Sequence, residues 1–207
     1  ANIAFDGVAA GAAIGAMEAW IGSLCYSLQL YFDFSGYSDM AVGLGFMFGI
    51  KLPLNFNSPF KATSISDFWR RWHMTMTRFF TTYLYTPSAM KQTRKALQQN
   101  YSPFKKFLHA SAIPVTYTFI VAGIWHGAGW TFVIYGLIHG LALAVNHGWR
   151  EFKLPDLGPQ VGWALTMAVV VSGLVVFRAP DLSVASNILA SMWGLGSYFA
   201  DATASQS

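Results

Sequence analysis

The chain has 207 residues, of which 54% are hydrophobic, 16% aromatic and only 11% charged. A soluble domain carries about a quarter charged residues, so this composition excludes an ordinary soluble globule and points to lipid as the solvent. The one cysteine, Cys25, excludes a disulfide within the chain, and the net charge of +4 is concentrated between Lys61 and Lys106, where nine Lys/Arg face a single acid, Asp67.

The chain opens on Ala1 without a basic region, short apolar core and cleavage site. It reads as a piece of a longer protein whose spanning segments carry the targeting information. Residues 7 to 32 hold one charge, Glu18, and form the first expected span. Residues 40 to 50 are apolar but too short to cross alone, and suit a short or re-entrant helix packed closely by Gly43, Gly45 and Gly49. A turn-rich link comes next, with Pro53, Asn55, Asn57 and Pro59. Ser64 and Asp67 have the spacing of a helix N-cap and its capping-box acid. The helix they start mixes Phe68, Trp69, Trp72, Met76, Phe79 and Phe80 with Arg70, Arg71, His73 and Arg78. That mixture suits an interfacial helix or one buried against protein at membrane depth.

Residues 86 to 106 are polar and basic and read as the main extramembrane loop. Basic loops beside spans tend to stay cytoplasmic. A site for anionic lipid or an acidic partner is the alternative, and nucleic acid is excluded because the stretch lies between membrane segments. From Phe107 to Trp149 there is no Asp, Glu, Lys or Arg over 43 residues. That is room for two spans, about 107 to 125 and 129 to 149, turning near Gly127 and Gly129. A further span is expected over 160 to 177, and a last one, cut short, over 182 to 200. With no internal repeat, residues 1 to 207 read as one membrane domain in an all-α, polytopic membrane protein.

A polar side chain inside lipid is a functional candidate by default. His126 is the sharpest case, in Ile124-Trp125-His126-Gly127-Ala128-Gly129-Trp130. Histidine takes and gives a proton near neutral pH, the glycines leave room for a substrate and the tryptophans make apolar walls. A histidine hydrogen-bonded between helices is the alternative. His139 lies 13 residues on, about 220° away on one continuous helix, so the two share a face only if the chain breaks between them. His147 and His109 read as structural or interfacial. His73 closes Phe68-Trp69-Arg70-Arg71-Trp72-His73. The arginines and tryptophans there would either hold an anionic head group or form a snorkelling interfacial belt. Asp33 and Asp39 end the first span and are expected to pair with those arginines rather than act as acid or base. No pair of histidines has the i, i+4 spacing of a helical metal site, so no metal is expected, nor is there a Gly-x-Ser-x-Gly elbow or phosphate loop.

Four ordered motifs then carry a resemblance. They are Tyr31-Phe-Asp-Phe-Ser-Gly-Tyr-Ser-Asp-Met-Ala-Val-Gly-Leu-Gly45, Leu54-Asn-Phe-Asn-Ser-Pro-Phe60, Ile65-Ser-Asp-Phe-Trp-Arg-Arg-Trp-His73 and Gly123-Ile-Trp-His-Gly127. Over roughly residues 20 to 150 the chain resembles the bacterial membrane-bound O-acyltransferases, in the alginate O-acetyltransferase-like branch. One departure is Thr81-Thr82-Tyr83-Leu84-Tyr85-Thr86-Pro87-Ser88, where relatives have an Arg-Asp pair and a Gly-Gly turn.

The resemblance implies a ring of tilted helices around a tunnel, here lacking N-terminal helices. It implies transfer of an acyl group, acetyl being the expected one, to hydroxyls of an exported cell-envelope polysaccharide such as alginate, with His126 and His73 catalytic and His126 the general base. Trp69, Arg70, Arg71, Trp72, Trp125, Asn55, Asn57, Asp33, Asp39 and His139 are the expected substrate or tunnel residues. No bound cofactor is expected, only an acyl donor as co-substrate, either acetyl-CoA or a carrier thioester. Expected partners are membrane lipid, an acyl donor or carrier protein on the cytoplasmic side and periplasmic polysaccharide-acetylating proteins. The expected location is the bacterial inner membrane, as a multi-pass protein. D-alanyl transfer to teichoic acid, a transporter and a non-catalytic scaffold remain as alternatives.

Overall fold

The structure, a computed structural model, describes residues 2–195. All regular elements among them are helical. Helix α1 (Asn2–Ala9) packs on α2 (Ala16–Met47). Residues 7 to 9 of the expected first span lie in α1 and 10 to 15 between the two helices. At 32 residues, α2 is about 48 Å long and takes in residues 16 to 32 of that span and most of the expected short element at 40 to 50. Nothing between them can stop a helix. Gly36 and Gly43 cost about 1 kcal/mol each relative to alanine, but there is no proline, and both look into open space. The stop comes at Gly49, whose φ of +72° suits glycine. There the Ile50 amide donates to the Gly45 carbonyl at 2.8 Å and the Gly49 amide to Phe46 at 3.0 Å, the bond pattern of a Schellman cap. Of the three glycines expected to pack closely, only Gly45 does, against Ile50 and Leu52. Seryl, glutaminyl and tyrosyl side chains dilute α2, and it is not among the helices apolar enough to cross a membrane.

An extended link leads to a 3-10 turn (Pro59–Lys61) and α3 (Ile65–Trp69). The Ser64 hydroxyl accepts from the Asp67 amide at 3.1 Å, as the spacing predicts. Ser64→Ala is expected to cost about 0.5–2 kcal/mol, read as a lower unfolding midpoint of the protein in detergent. The helix expected to run from the Ser64 cap through Phe80 instead breaks after Trp69 and resumes as α4 (Met74–Phe80), because His73 adopts a left-handed backbone with φ 45°. A π-helical turn (Thr81–Tyr85) joins α4 to α5 (Thr86–Gln98). The polar 86 to 106 stretch is therefore largely helical and not a loop. Pro87 sits in the first turn of α5, and Ala89, Met90, Lys91, Gln92, Arg94, Lys95, Ala96 and Leu97 are mostly strong helix formers.

Helix α6 (Pro103–Phe107) passes through a second π-helical turn (Leu108–Ala112) into α7 (Ile113–His126). This continuous helix, α8 (Trp130–Glu151) and α9 (Gly158–Arg178) are long and apolar enough to cross a membrane. They match the spans expected from the uncharged stretches. Helix α10 (Leu182–Met192) has 11 residues, too few to cross. The expected span there extends to 200, beyond the described residues.

Helices α7 and α8 form the main packed pair. A side chain at Gly123 would run into the Phe132 carbonyl, one at Gly136 into the Phe119 carbonyl, and one at Gly140 would lie 2.8 Å from the Thr116 Cα. Small residues let helix backbones approach this closely, which is how spanning helices associate without a hydrophobic driving force between them. Outward, Leu24, Leu28, Leu44, Ile124, Leu141, Val145 and Leu165 are exposed. An apolar surface so extensive belongs against lipid or protein rather than water.

Candidate active site

Two histidines from different parts of the chain are brought to one tryptophan, Trp125, near the C-terminal ends of α3 and α7. The link at 55 to 57 is laced to the break between α3 and α4: the Asn57 amide donates to the Arg71 carbonyl at 2.9 Å, and the Met74 amide to the Asn55 carbonyl at 2.9 Å. This lacing holds His73 in its left-handed conformation. The His73 ring meets the edge of Phe34 from α2, with centroids 4.7 Å apart, and faces Trp125 at 6.5 Å. Trp125 in turn touches His126 at 5.0 Å.

His126 ends α7 and is half-buried. Phe177 of α9 at 5.2 Å and Tyr135 of α8 at 6.3 Å complete its surroundings. Among the described residues it makes no side-chain hydrogen bond, unlike the histidine clamped between helices that was the alternative. Burial pushes the His73 imidazole down to about 4, and the nearby His126 charge pushes the same way. The unfolded chain, near 6.5, therefore binds more protons than the folded one between pH 4 and 6.5, so stability falls as pH drops through that window. His73→Gln is expected to flatten this slope, checked by unfolding midpoints at pH 4.5, 5.5 and 7.

His139 lies on α8, past the break at Gly127–Gly129, and is 1% exposed. The Trp69 indole donates to its Nδ1 at 3.3 Å, and Tyr135 packs on its ring at 4.7 Å. Gly173 closes over Nε2, which lacks a partner among the described residues. Trp69 and Trp72 are buried core residues, and Trp72 stacks on Phe68. Arg70 and Arg71 both pair with Asp67, at 3.5 and 2.9 Å. Asp33 and Asp39 are exposed on α2 and join no ion pair among the described residues. The expected pairing with the arginines is thus replaced by a shorter-range one at α3, where Asp67 sits three and four residues away. Asn57 is exposed, and its carbonyl accepts from the Arg71 Nη1 at 3.4 Å.

Sequence reasoning missed Phe34, Tyr135, Phe177, Ser38 and Thr75. Tyr135 stands one helical turn before His139, an i, i+4 neighbour that periodicity could have found. Phe177 comes from a distant helix and had no local marker. Among the described residues no three His, Cys, Asp or Glu side chains converge as metal ligands.

A family model described as the membrane-bound O-acyltransferase family matches residues 12–155. The chain belongs to that family. Both histidines, the Asn55 link and the α7–α8 hairpin lie inside the matched segment. The chain is 45% identical over 86% of its length to a peptidoglycan O-acetyltransferase of Helicobacter pylori. It is 39% identical over 87% to a probable alginate O-acetylase of Azotobacter vinelandii, and 34% identical over 71% to a teichoic acid D-alanyltransferase of Bacillus subtilis. These matches cover 32%, 34% and 36% of those proteins, so the chain spans about a third of the curated relatives it matches. Membership of a membrane-bound family, with three helices apolar enough to cross, makes this chain part of a membrane protein.

Proposed function

We propose that the protein transfers an acetyl group to hydroxyls of a cell-envelope polysaccharide, with His126 as general base. The observation that supports this best is His126 itself: a half-buried imidazole with no hydrogen-bond partner among the described residues, one tryptophan away from His73. In the reaction, His126 takes the proton of the acceptor hydroxyl as its oxygen attacks the thioester carbonyl. The tetrahedral intermediate collapses, the C–S bond breaks, and the leaving thiolate takes the proton from the imidazolium. As His126 ends α7, the forming imidazolium sits at the negative end of that helix, worth about 0.3–1 kcal/mol.

The acyl donor, acetyl-CoA or a carrier thioester, is a co-substrate delivered from the cytoplasmic side. The basic 61 to 106 region, by the charge rule for topology, marks that side, and Arg70 and Arg71 lie at its mouth. The protein then sits as a multi-pass protein in the bacterial inner membrane and works with periplasmic polysaccharide-acetylating partners. Acetyl is preferred over D-alanyl because the acetylating relatives match more closely and over more of the chain.

The test is chemical. Envelope polymer from cells carrying the full-length protein, treated with mild alkali, is expected to release acetate, and polymer from cells with His126→Ala is not. Alanine in place of acetate would overturn the donor class. Undiminished acetate from the variant would overturn the role of His126.

A further inference from the structure

The polar centre beside His73 is Asn55. Its side-chain oxygen receives three donors: the Thr75 amide at 3.2 Å, the Thr75 hydroxyl at 2.9 Å and, at 3.1 Å, the His73 Nδ1. Its side-chain nitrogen points at the Ser38 hydroxyl of α2 at 3.2 Å. The orientation of the amide is dictated by this set. The Thr75 amide can only donate, so the group facing it must be the oxygen. A flipped Asn55 would set its NH2 against that amide. With the oxygen facing Nδ1, the neutral His73 ring must carry its proton on Nδ1. The opposite tautomer would put two lone pairs face to face across 3.1 Å.

We infer that Asn55 is a positioning residue that locks His73 in the Nδ1–H tautomer, leaving Nε2 as a hydrogen-bond acceptor for the substrate. The inference rests on the acyltransferase reading of this site. It also narrows what His73 can do. A neutral ring with a bare Nε2 cannot donate to the acyl carbonyl from that atom, so it does not polarise the carbonyl there. It receives an O–H or S–H group: a hydroxyl of the acceptor beside the one that reacts, or the thiol after it leaves. The lock is mechanical as well as electronic. Asn55 is tied through its backbone carbonyl to Met74 and through its side-chain amide to α2, so His73 keeps its ring plane against Phe34 while the tautomer is held.

The test uses the full-length protein in lipid bilayers with 15N-labelled histidine, read by solid-state NMR at pH 7.5, assigning His73 by its loss in His73→Gln. Nitrogen shifts of a protonated Nδ1 and bare Nε2 are expected. Asn55→Asp keeps an acceptor in place and adds a negative charge. It should retain the Nδ1–H tautomer and move the acid limb of the kcat/KM profile to higher pH, since a carboxylate favours the imidazolium. Asn55→Leu should lose the tautomer preference and lower kcat at least about tenfold, with donor KM little changed; acid–base help as a whole is worth about 10²–10⁴. If Asn55→Leu does not fold, the wild-type and Asn55→Asp spectra decide alone. A wild-type His73 protonated on Nε2, or an Asn55→Asp profile coincident with wild type, overturns the inference. The NMR readout needs no turnover, so a polymer without acetate would remove the proposed reaction while leaving the tautomer result standing.

Discussion

His126→Ala in the full-length protein is expected to lower the rate of acetyl transfer by about 10²–10⁴, the range general-base help supplies. The amount of protein in the membrane and its unfolding midpoint should stay close to wild type. The separation of activity from stability comes from the site itself. The His126 ring is half-buried and touches Trp125, Phe177 and Tyr135 by its faces and edges. Among the described residues it holds no hydrogen bond that its removal would orphan. What survives should be the part of catalysis that comes from holding donor and acceptor together. Residues that act as a unit are not additive, so His73→Ala placed on His126→Ala should cost much less than His73→Ala alone. Initial rates with purified protein in proteoliposomes measure both. A single variant with near-normal rate, or full additivity in the double variant, contradicts the shared role.

Gly136→Val is expected to damage the fold most. Its Cβ would meet the Phe119 carbonyl and the Ile120 Cα, which are backbone atoms of α7 and cannot rotate away. The helices must separate, and overpacking of this kind costs about 1–3 kcal/mol, occasionally more. Because His126 ends α7, transfer activity should fall with the fold. Gly43→Val is the matched control: nothing lies within 4 Å of its Cβ. Unfolding midpoints in the same detergent should drop for Gly136→Val and barely move for Gly43→Val. Equal midpoints would show that the backbones of α7 and α8 are not in contact at Gly136.

Much of the fold is legible along the chain. The 43-residue uncharged run marks α7 and α8 directly, because charge is costly in lipid and its absence signals the span. Ser64 and Asp67 announce the start of α3 because a cap is a local pattern. The polar helix α5 reads as a loop only while polarity is equated with irregularity; a solvent-facing helix needs little apolar surface, and Ala96 is its one buried residue. Helix α2 reads as two elements because glycines resemble boundaries, yet none in it is strained before Gly49. Within the site, motifs point to His73, His126 and Asn55. Its three converging donors depend on a left-handed turn at His73 that no spacing predicts. Asp33 and Asp39 mislead for a simpler reason: a nearer acid, Asp67, already satisfies both arginines.

The two π-helical turns have a consequence for how the chain tolerates length changes. Each holds one residue more than an α-helical path of the same course would need. Deleting one residue within Thr81–Tyr85 would therefore turn the π-helical turn into an α-helical one and leave α4 on nearly the same course relative to α5, whereas deleting one within the α-helical part of α4 would rotate what precedes it by about 100°. Helix α4 begins at Met74, directly after His73. The approach of His73 to Trp125 should thus survive the loss of one residue in the π-helical turn and be lost when the same deletion is made in the α-helical part of α4, although both histidines stay intact.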